Sequence, residues 1–194
     1  MRTVEAPAEL RAVAELLAPV RPLPVDLLHE LVTTGSPVTA AFDGDRPVGA
    51  TAGFLTGAGL HSYVTVVIAD RRRQGVGSAL KWHQREWALG AGLGTVTWTF
   101  DPNDVACARL SVRTLGAEVT SYQRGFGPGG DDRLVVTWAL RSARVTQAWH
   151  GVDPVEVEPQ RACAPGPDLA VAIEGGCHVL DVAEDGTYLL RGPG

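Results

Sequence analysis

Apolar residues recur at helical spacing through Leu10, Val13, Ala14 and Leu17, which predicts a helix over residues 8–17. Pro19, Pro22 and Pro24 break it, and residues 25–32 read as a second helix. Residues 2–5 form a short first strand ahead of both. Apolar runs at 38–42 and 48–55 flank Asp43-Gly44-Asp45, the composition of a hairpin turn. Gly49 and Gly53 fall inside the second of these strands, where a missing side chain signals a bend or a close backbone approach. Residues 63–68 are apolar and β-branched, a core strand. Helical spacing returns over 79–89 and stops at Gly90-Ala91-Gly92. Residues 95–99 read as a strand, 105–115 as a helix, and 118–124 and 134–140 as two final strands. The order β–α–α–β–β–β–α–β–α–β–β predicts an α/β (α+β) fold, a mixed sheet with helices on both faces.

Beyond Arg141 the pattern changes. Pro154, Pro159, Pro165-Gly166-Pro167 and Gly175-Gly176 punctuate short strand-like runs at 155–157, 169–173, 178–182 and 187–190. The chain therefore divides into residues 1–141 and a small β-rich extension, 142–194, which packs on the core or on a second copy of the chain to make a homodimer.

Composition narrows the partners. The net charge is −5 and basic residues cluster only at Arg71, Arg72 and Arg73, which argues against a nucleic-acid groove. Glu5, Glu9 and Glu15 make the N-terminus a poor signal peptide, and no apolar run is long enough to span a membrane. Cys107, Cys163 and Cys177 are far apart with no metal-ligand spacing, which suggests reduced thiols in the cytoplasm and no metal site.

The candidate chemistry lies in Arg72, Arg73, Gln74, Gly75, Val76, Gly77 and Ser78, between the core strand and a helix start. A helix start carries unpaired N–H groups and a partial positive charge. Two glycines let the backbone close round an anion, and the arginines match phosphate. The segment reads as a pyrophosphate cradle. It is not a mononucleotide P-loop, since no lysine follows Gly77, and Leu80 stands where a dinucleotide fingerprint needs its third glycine.

Arg72, Gly75 and Gly77 in R-x-x-G-x-G spacing resemble the signature of the GNAT (Gcn5-related N-acetyltransferase) superfamily, whose loop grips the pyrophosphate of acetyl-CoA. Leu115-Gly116-Ala117 resembles the turn that ends the superfamily's next helix. His61-Ser62, Gln84-Arg85-Glu86, Thr97-Trp98-Thr99-Phe100-Asp101-Pro102, Tyr122 and Asp132-Arg133-Leu134 are similar to a bacterial subgroup of predicted GNAT acyltransferases. The resemblance covers residues 1 to about 141 and implies a GNAT fold with an acyl-CoA co-substrate, acetyl-CoA first and succinyl-CoA second. It implies that Val66, Val67 and Ile68 meet the pantetheine arm through main chain, as an added strand would, with the Val67 N–H on the thioester carbonyl. With no polymer-binding surface in the sequence, the expected acceptor is a small primary amine or amino-acid derivative.

Amine attack on a thioester needs a proton acceptor. His61 is the first candidate, with Tyr63 and Asp101 behind it. Each has a plainer reading: a strand-end histidine, a packing tyrosine, and the aspartate of an Asp-Pro-Asn turn. Many GNAT enzymes place an acid tyrosine four residues before the glycine of the helix-ending turn, and here that position is Val112. Two helix positions that the subgroup fills with asparagine are Cys107 and Ser111. Tyr122 is a substitute acid, or a core-edge tyrosine. The departure at Val112 opens a second reading, an acyl-CoA-binding module that is catalytically weak or silent. His83, on an expected inward stripe with Val76, Leu80 and Trp87, reads as a packing residue.

Overall fold

The computed structural model describes residues 1–127, 129–152 and 158–193. They form a mixed α/β fold, a mostly antiparallel central sheet flanked by helices, with a second sheet of three strands. The chain divides into two compact units, Met1–Val96 and Thr97–Gly194.

The first unit contains β1 (Arg2–Thr3), α1 (Pro7–Leu17), α2 (Val25–Thr33), β2 (Val38–Asp43), β3 (Arg46–Thr56), β4 (Gly59–Val67) and α3 (Val76–Gly90). β1 to β4 lie side by side in chain order, every pair antiparallel. Residues on a strand alternate between faces, so each face gathers its own helices. Leu10, Val13 and Leu17 of α1 and Leu28 and Leu31 of α2 pack on Val38, Ala40, Ala50, Ala52, Val64 and Val66. Leu80 of α3 packs with Ala41 and Val48, and with Val67, Ile68 and Val76.

The two glycines of β3 are a close approach and a bend, as the sequence predicts. A Cβ on Gly49 would stand 3.0 Å from Leu80 Cδ1 and 3.1 Å from Val66 O, so its absence lets α3 settle on the sheet. Gly53 sits where the β3–β4 register shifts: Ala52 pairs with Val64 and Gly53 with Ser62, leaving Tyr63 as the extra residue of a bulge. A Cβ on Gly53 would lie 2.8 Å from His61 O. The bulge re-aims the side chains of the first half of β4, where His61 and Tyr63 lie.

The second unit holds most of β5 (Thr95–Phe100), then α4 (Val105–Arg109) continued by a π turn over Leu110–Thr114, β6 (Glu118–Gln123), β7 (Arg133–Ala139), α5 (Ala143–Trp149), β8 (Arg161–Cys163), α6 (Pro167–Glu174), β9 (His178–Val182) and β10 (Tyr188–Arg191). β5, β7 and β6 are neighbours in that order, and β8, β10 and β9 make the small sheet. Trp98 and Trp138 are core residues that meet edge to face, centroids 5.9 Å apart. The residues after 141 fasten onto the α4 segment: Arg109 Nη1 donates to Val182 O at 3.1 Å, and Arg113 pairs with Asp181 at 2.8 Å. Arg144 donates to Val112 O and Leu180 O.

The extension is less β-rich than its sequence predicts. Residues expected as a strand at 169–173 lie in α6, with Pro167 opening the helix and Asp168 in its first turn. That helix buries Leu169, Ala170 and Ala172 and exposes Val171, a helical and not an alternating pattern. α5 was not expected either; its start is capped by the Ser142 hydroxyl, which accepts from Val145 N. Strands at 178–182 and 187–190 appear as β9 and β10, and the strand expected at 155–157 lies outside the described residues.

Candidate active site

β4 ends at Val67, a 3-10 turn covers Ala69–Arg71, and α3 opens at Val76. Between them the chain passes through two left-handed conformations, Arg73 at φ 57° and Gly75 at φ 81°. Residues 71–75 are exposed. The three arginines have different employment. Arg71 pairs with Asp43 of the hairpin turn. Arg72 Nε donates to Val67 O at 3.1 Å, which pins the guanidinium beside the strand end. Arg73 makes no ion pair among the described residues. Gln74 Nε2 bonds Asp70 O at 2.6 Å and Ser78 Oγ bonds Gly75 O at 2.8 Å, so both side chains brace the turn. The N–H groups of Val76, Gly77 and Ser78 open the helix and have no acceptor within it. The result is a partly exposed row of donors at a helix start, with Gly75 carrying no side chain across it. It fits an anion such as pyrophosphate.

The three strand-end residues implied for pantetheine are not equivalent. Ile68 N donates to Val48 O at 3.0 Å, and Ile68 O accepts from Arg71 N at 3.1 Å, so both main-chain groups of Ile68 are used within the protein. In an antiparallel ladder, groups two residues apart point the same way, so Val66 also turns its main chain to β3. Val67 and Thr65 turn theirs to the opposite side of β4. Thr65 escaped the sequence reading, because strand orientation cannot be read from residue types.

His61 is the third residue of β4, half-buried and directly across from Phe54. It lies inside the strand, not at its start. Burial lowers its pKa first, and the charges of Lys81 and then Arg21 lower it further, which favours the neutral imidazole. Tyr63 packs edge to face on Phe54, 5.1 Å between centroids, and carries the Arg21 guanidinium on its ring at 4.6 Å.

Behind β4 lies a polar layer that the sequence reading missed. Lys81, the only lysine of the chain, is buried under α3, where its Nζ donates to Ser62 Oγ at 2.6 Å and to Gln84 Oε1 at 3.3 Å. Gln84 Nε2 reaches Thr51 Oγ1, which in turn bonds Val64 O and Thr65 Oγ1. The inward stripe of α3 is thus Leu80, Lys81, Gln84 and Ala88, and His83 and Trp87 are only partly buried. The expected stripe fixed on the aromatic residues, but the polar layer on β3 and β4 turns the helix by about one residue position. His83 Nδ1 has no hydrogen-bond partner among the described residues.

In the second unit, Tyr122 is buried and its hydroxyl donates to Asp132 at 2.6 Å; burial and that carboxylate push its pKa up to about 12. Val112 is fully buried. Asp101 accepts from Asn103 N and Nδ2 at 2.8 and 3.0 Å, the geometry of an Asx turn. Ser111 Oγ accepts from Trp98 Nε1 and donates to Cys107 O, and none of the three cysteines forms a disulfide among the described residues. Among the described residues no three His, Cys, Asp or Glu side chains gather as metal ligands, and no helix is long and apolar enough to cross a membrane.

The sequence profile of the acetyltransferase (GNAT) family matches residues 10–116, more than half of the chain. The chain belongs to the GNAT family. Solved structures of other acetyltransferases share its fold. The ribosomal-protein-S18-alanine N-acetyltransferase of Escherichia coli superposes with a TM-score of 0.63 at 16% identity, over 73% of this chain and 94% of that one. A Salmonella typhimurium protein solved with its cofactor acetyl-CoA gives 0.63 at 18% identity, over 73% and 93%. An aminoglycoside 6′-N-acetyltransferase complexed with coenzyme A gives 0.59 at 15% identity, over 73% and 98%. No curated protein matches the chain. The GNAT assignment rests on the same stretch that holds the turn and β4, and places the candidate site in an acetyltransferase fold.

Proposed function

We propose that this protein is an acyl-CoA-dependent N-acyltransferase that moves an acetyl group from acetyl-CoA to a small primary amine in the cytoplasm, with succinyl-CoA as the second donor to test. One observation carries the reading: a partly exposed row of helix-opening amides beside Arg72 and Arg73, in the turn that follows a strand whose Val67 amide faces away from its β3 partner. Val76, Gly77 and Ser78 would bind pyrophosphate oxygens through main chain, and the arginines would neutralise them. Val67 N–H, and not Val66 or Ile68, would meet the thioester carbonyl, where negative charge develops as the tetrahedral intermediate forms. The amine nitrogen adds to that carbonyl, the carbon–sulfur bond breaks, and the sulfur leaves as thiolate. The proton lost by the nitrogen goes to His61 or to a water that His61 orients. A lowered pKa suits that task, because the imidazole is already neutral when the amine arrives.

A second reading, acyl-CoA binding without turnover, is favoured by Val112 and Tyr122. Val112 supplies no acid, and the Tyr122 hydroxyl is engaged in a hydrogen bond that it donates to Asp132. Titration calorimetry with acetyl-CoA, succinyl-CoA and free CoA, followed by turnover against a panel of amines, separates the two. Binding with turnover supports the enzyme, binding alone supports the silent module, and no binding removes both.

A further inference from the structure

Arg21 is a cation held in place with no ion-pair partner among the described residues. It lies between Pro19 and Pro22 in the α1–α2 connection, and its N–H bonds Leu17 O at 2.9 Å. Its guanidinium lies over the Tyr63 ring, 4.6 Å from the centroid, and Tyr63 is braced by Phe54, which stands across from His61. Stacking on an aromatic face fixes the side chain yet leaves the N–H edge of the guanidinium free to bond. Residues 18–24, β3 and β4 contain no Asp or Glu. Glu15 and Asp26, the nearest carboxylates in sequence, are exposed, and Arg21 forms no ion pair among the described residues. Arg21 is partly buried, and a guanidinium without an ion-pair partner among the described residues matches a carboxylate through two parallel hydrogen bonds.

Resting on the acyltransferase reading, we propose that Arg21, stacked on Tyr63, binds the carboxylate of the acceptor, so that the substrate is an amino acid or amino-acid derivative whose amine is presented to His61. Arg21 stacks on Tyr63, two residues from His61 on the same strand, so one small acceptor can span both groups. Phe54 and Tyr63 offer an aromatic wall for whatever lies between the two ends of such a molecule.

The test uses the full chain and a panel of α-, β- and γ-amino acids, each beside its carboxamide. The same pairs are measured twice, as acetyl acceptors with acetyl-CoA and as ligands by calorimetry or NMR titration. Arg21→Met keeps the apolar stem and removes the charge, Arg21→Lys keeps the charge without the fork, and thermal melting confirms that both fold. The expected result is at least a tenfold preference for one or more acids over their amides. Arg21→Met should abolish that preference, leaving the amides within twofold and acetyl-CoA affinity unchanged, and Arg21→Lys should restore part of it. Equal use of acids and amides by the parent, or an equal loss for both in Arg21→Met, overturns the proposal. If nothing is turned over, the binding arm decides alone: an Arg21-dependent acid preference upholds the carboxylate site while the catalytic reading fails, and its absence overturns the site.

Discussion

Replacing Gly75 with alanine tests the cradle where its geometry is most demanding. Gly75 holds φ 81°, and a Cβ built there meets nothing closer than Ser78 Oγ at 4.0 Å. The cost to the fold is therefore the left-handed backbone alone, about 1–2 kcal/mol, with no packing clash added. For a chain of this size that lowers Tm by roughly 2–8 °C. The cost to binding is separate. The new methyl group would stand in an exposed turn at the opening of α3, 4.0 Å from Ser78 Oγ, beside the amides of Val76, Gly77 and Ser78 that the proposed cradle offers to phosphate. Loss of one hydrogen bond to a charged group is worth about 1.5–3 kcal/mol, or roughly a 10- to 150-fold rise in Kd for CoA. Calorimetry gives the Kd and a melting curve gives the fold cost on the same sample. A variant that melts lower but binds CoA as tightly as the parent would refute the cradle, because the backbone strain would be present without any effect on a ligand.

Four further outcomes are expected. Gly77→Val, with a β-branched side chain in the first turn of α3, should abolish CoA binding while the circular dichroism spectrum stays close to the parent's. His61→Ala should lower kcat far more than CoA affinity, and an unchanged kcat and pH profile would remove His61 as the base. Burial, Lys81 and Arg21 all lower the pKa of His61, so the acid limb of kcat/KM should lie below the ordinary histidine value of about 6.5 and move up in Arg21→Met. The same shift means that the unfolded chain binds that proton more readily, so His61 costs stability as pH falls from about 6.5 through its folded pKa. Gly116→Ala should destabilise the second unit by at least about 2 kcal/mol, read as a lower Tm, since Gly116 has φ 66° and a Cβ there would lie 2.8 Å from Arg144 O.

The sequence determined most of the elements and the left-handed glycine turn before α3, because both are local. Hydrophobic spacing located α1, α2 and the strands of the main sheet, and Gly75 beside the arginines marked the turn, since left-handed backbone and helix-opening amides are properties of a few consecutive residues. Helix α6 reads as a strand in the sequence because its apolar run is too short for periodicity to separate the two, although Pro167 carries the helix signal. Only the tertiary structure decided which main-chain groups face out, because the β3–β4 register and the bulge at Tyr63 set whether Val66 or Val67 turns from its partner. It also decided the neighbours of His61. Lys81 is 20 residues away and Arg21 is 40 residues away in sequence, and nothing local marks either as a partner. Charge acts through space, so what those two cations do to His61 exists only once the chain has folded.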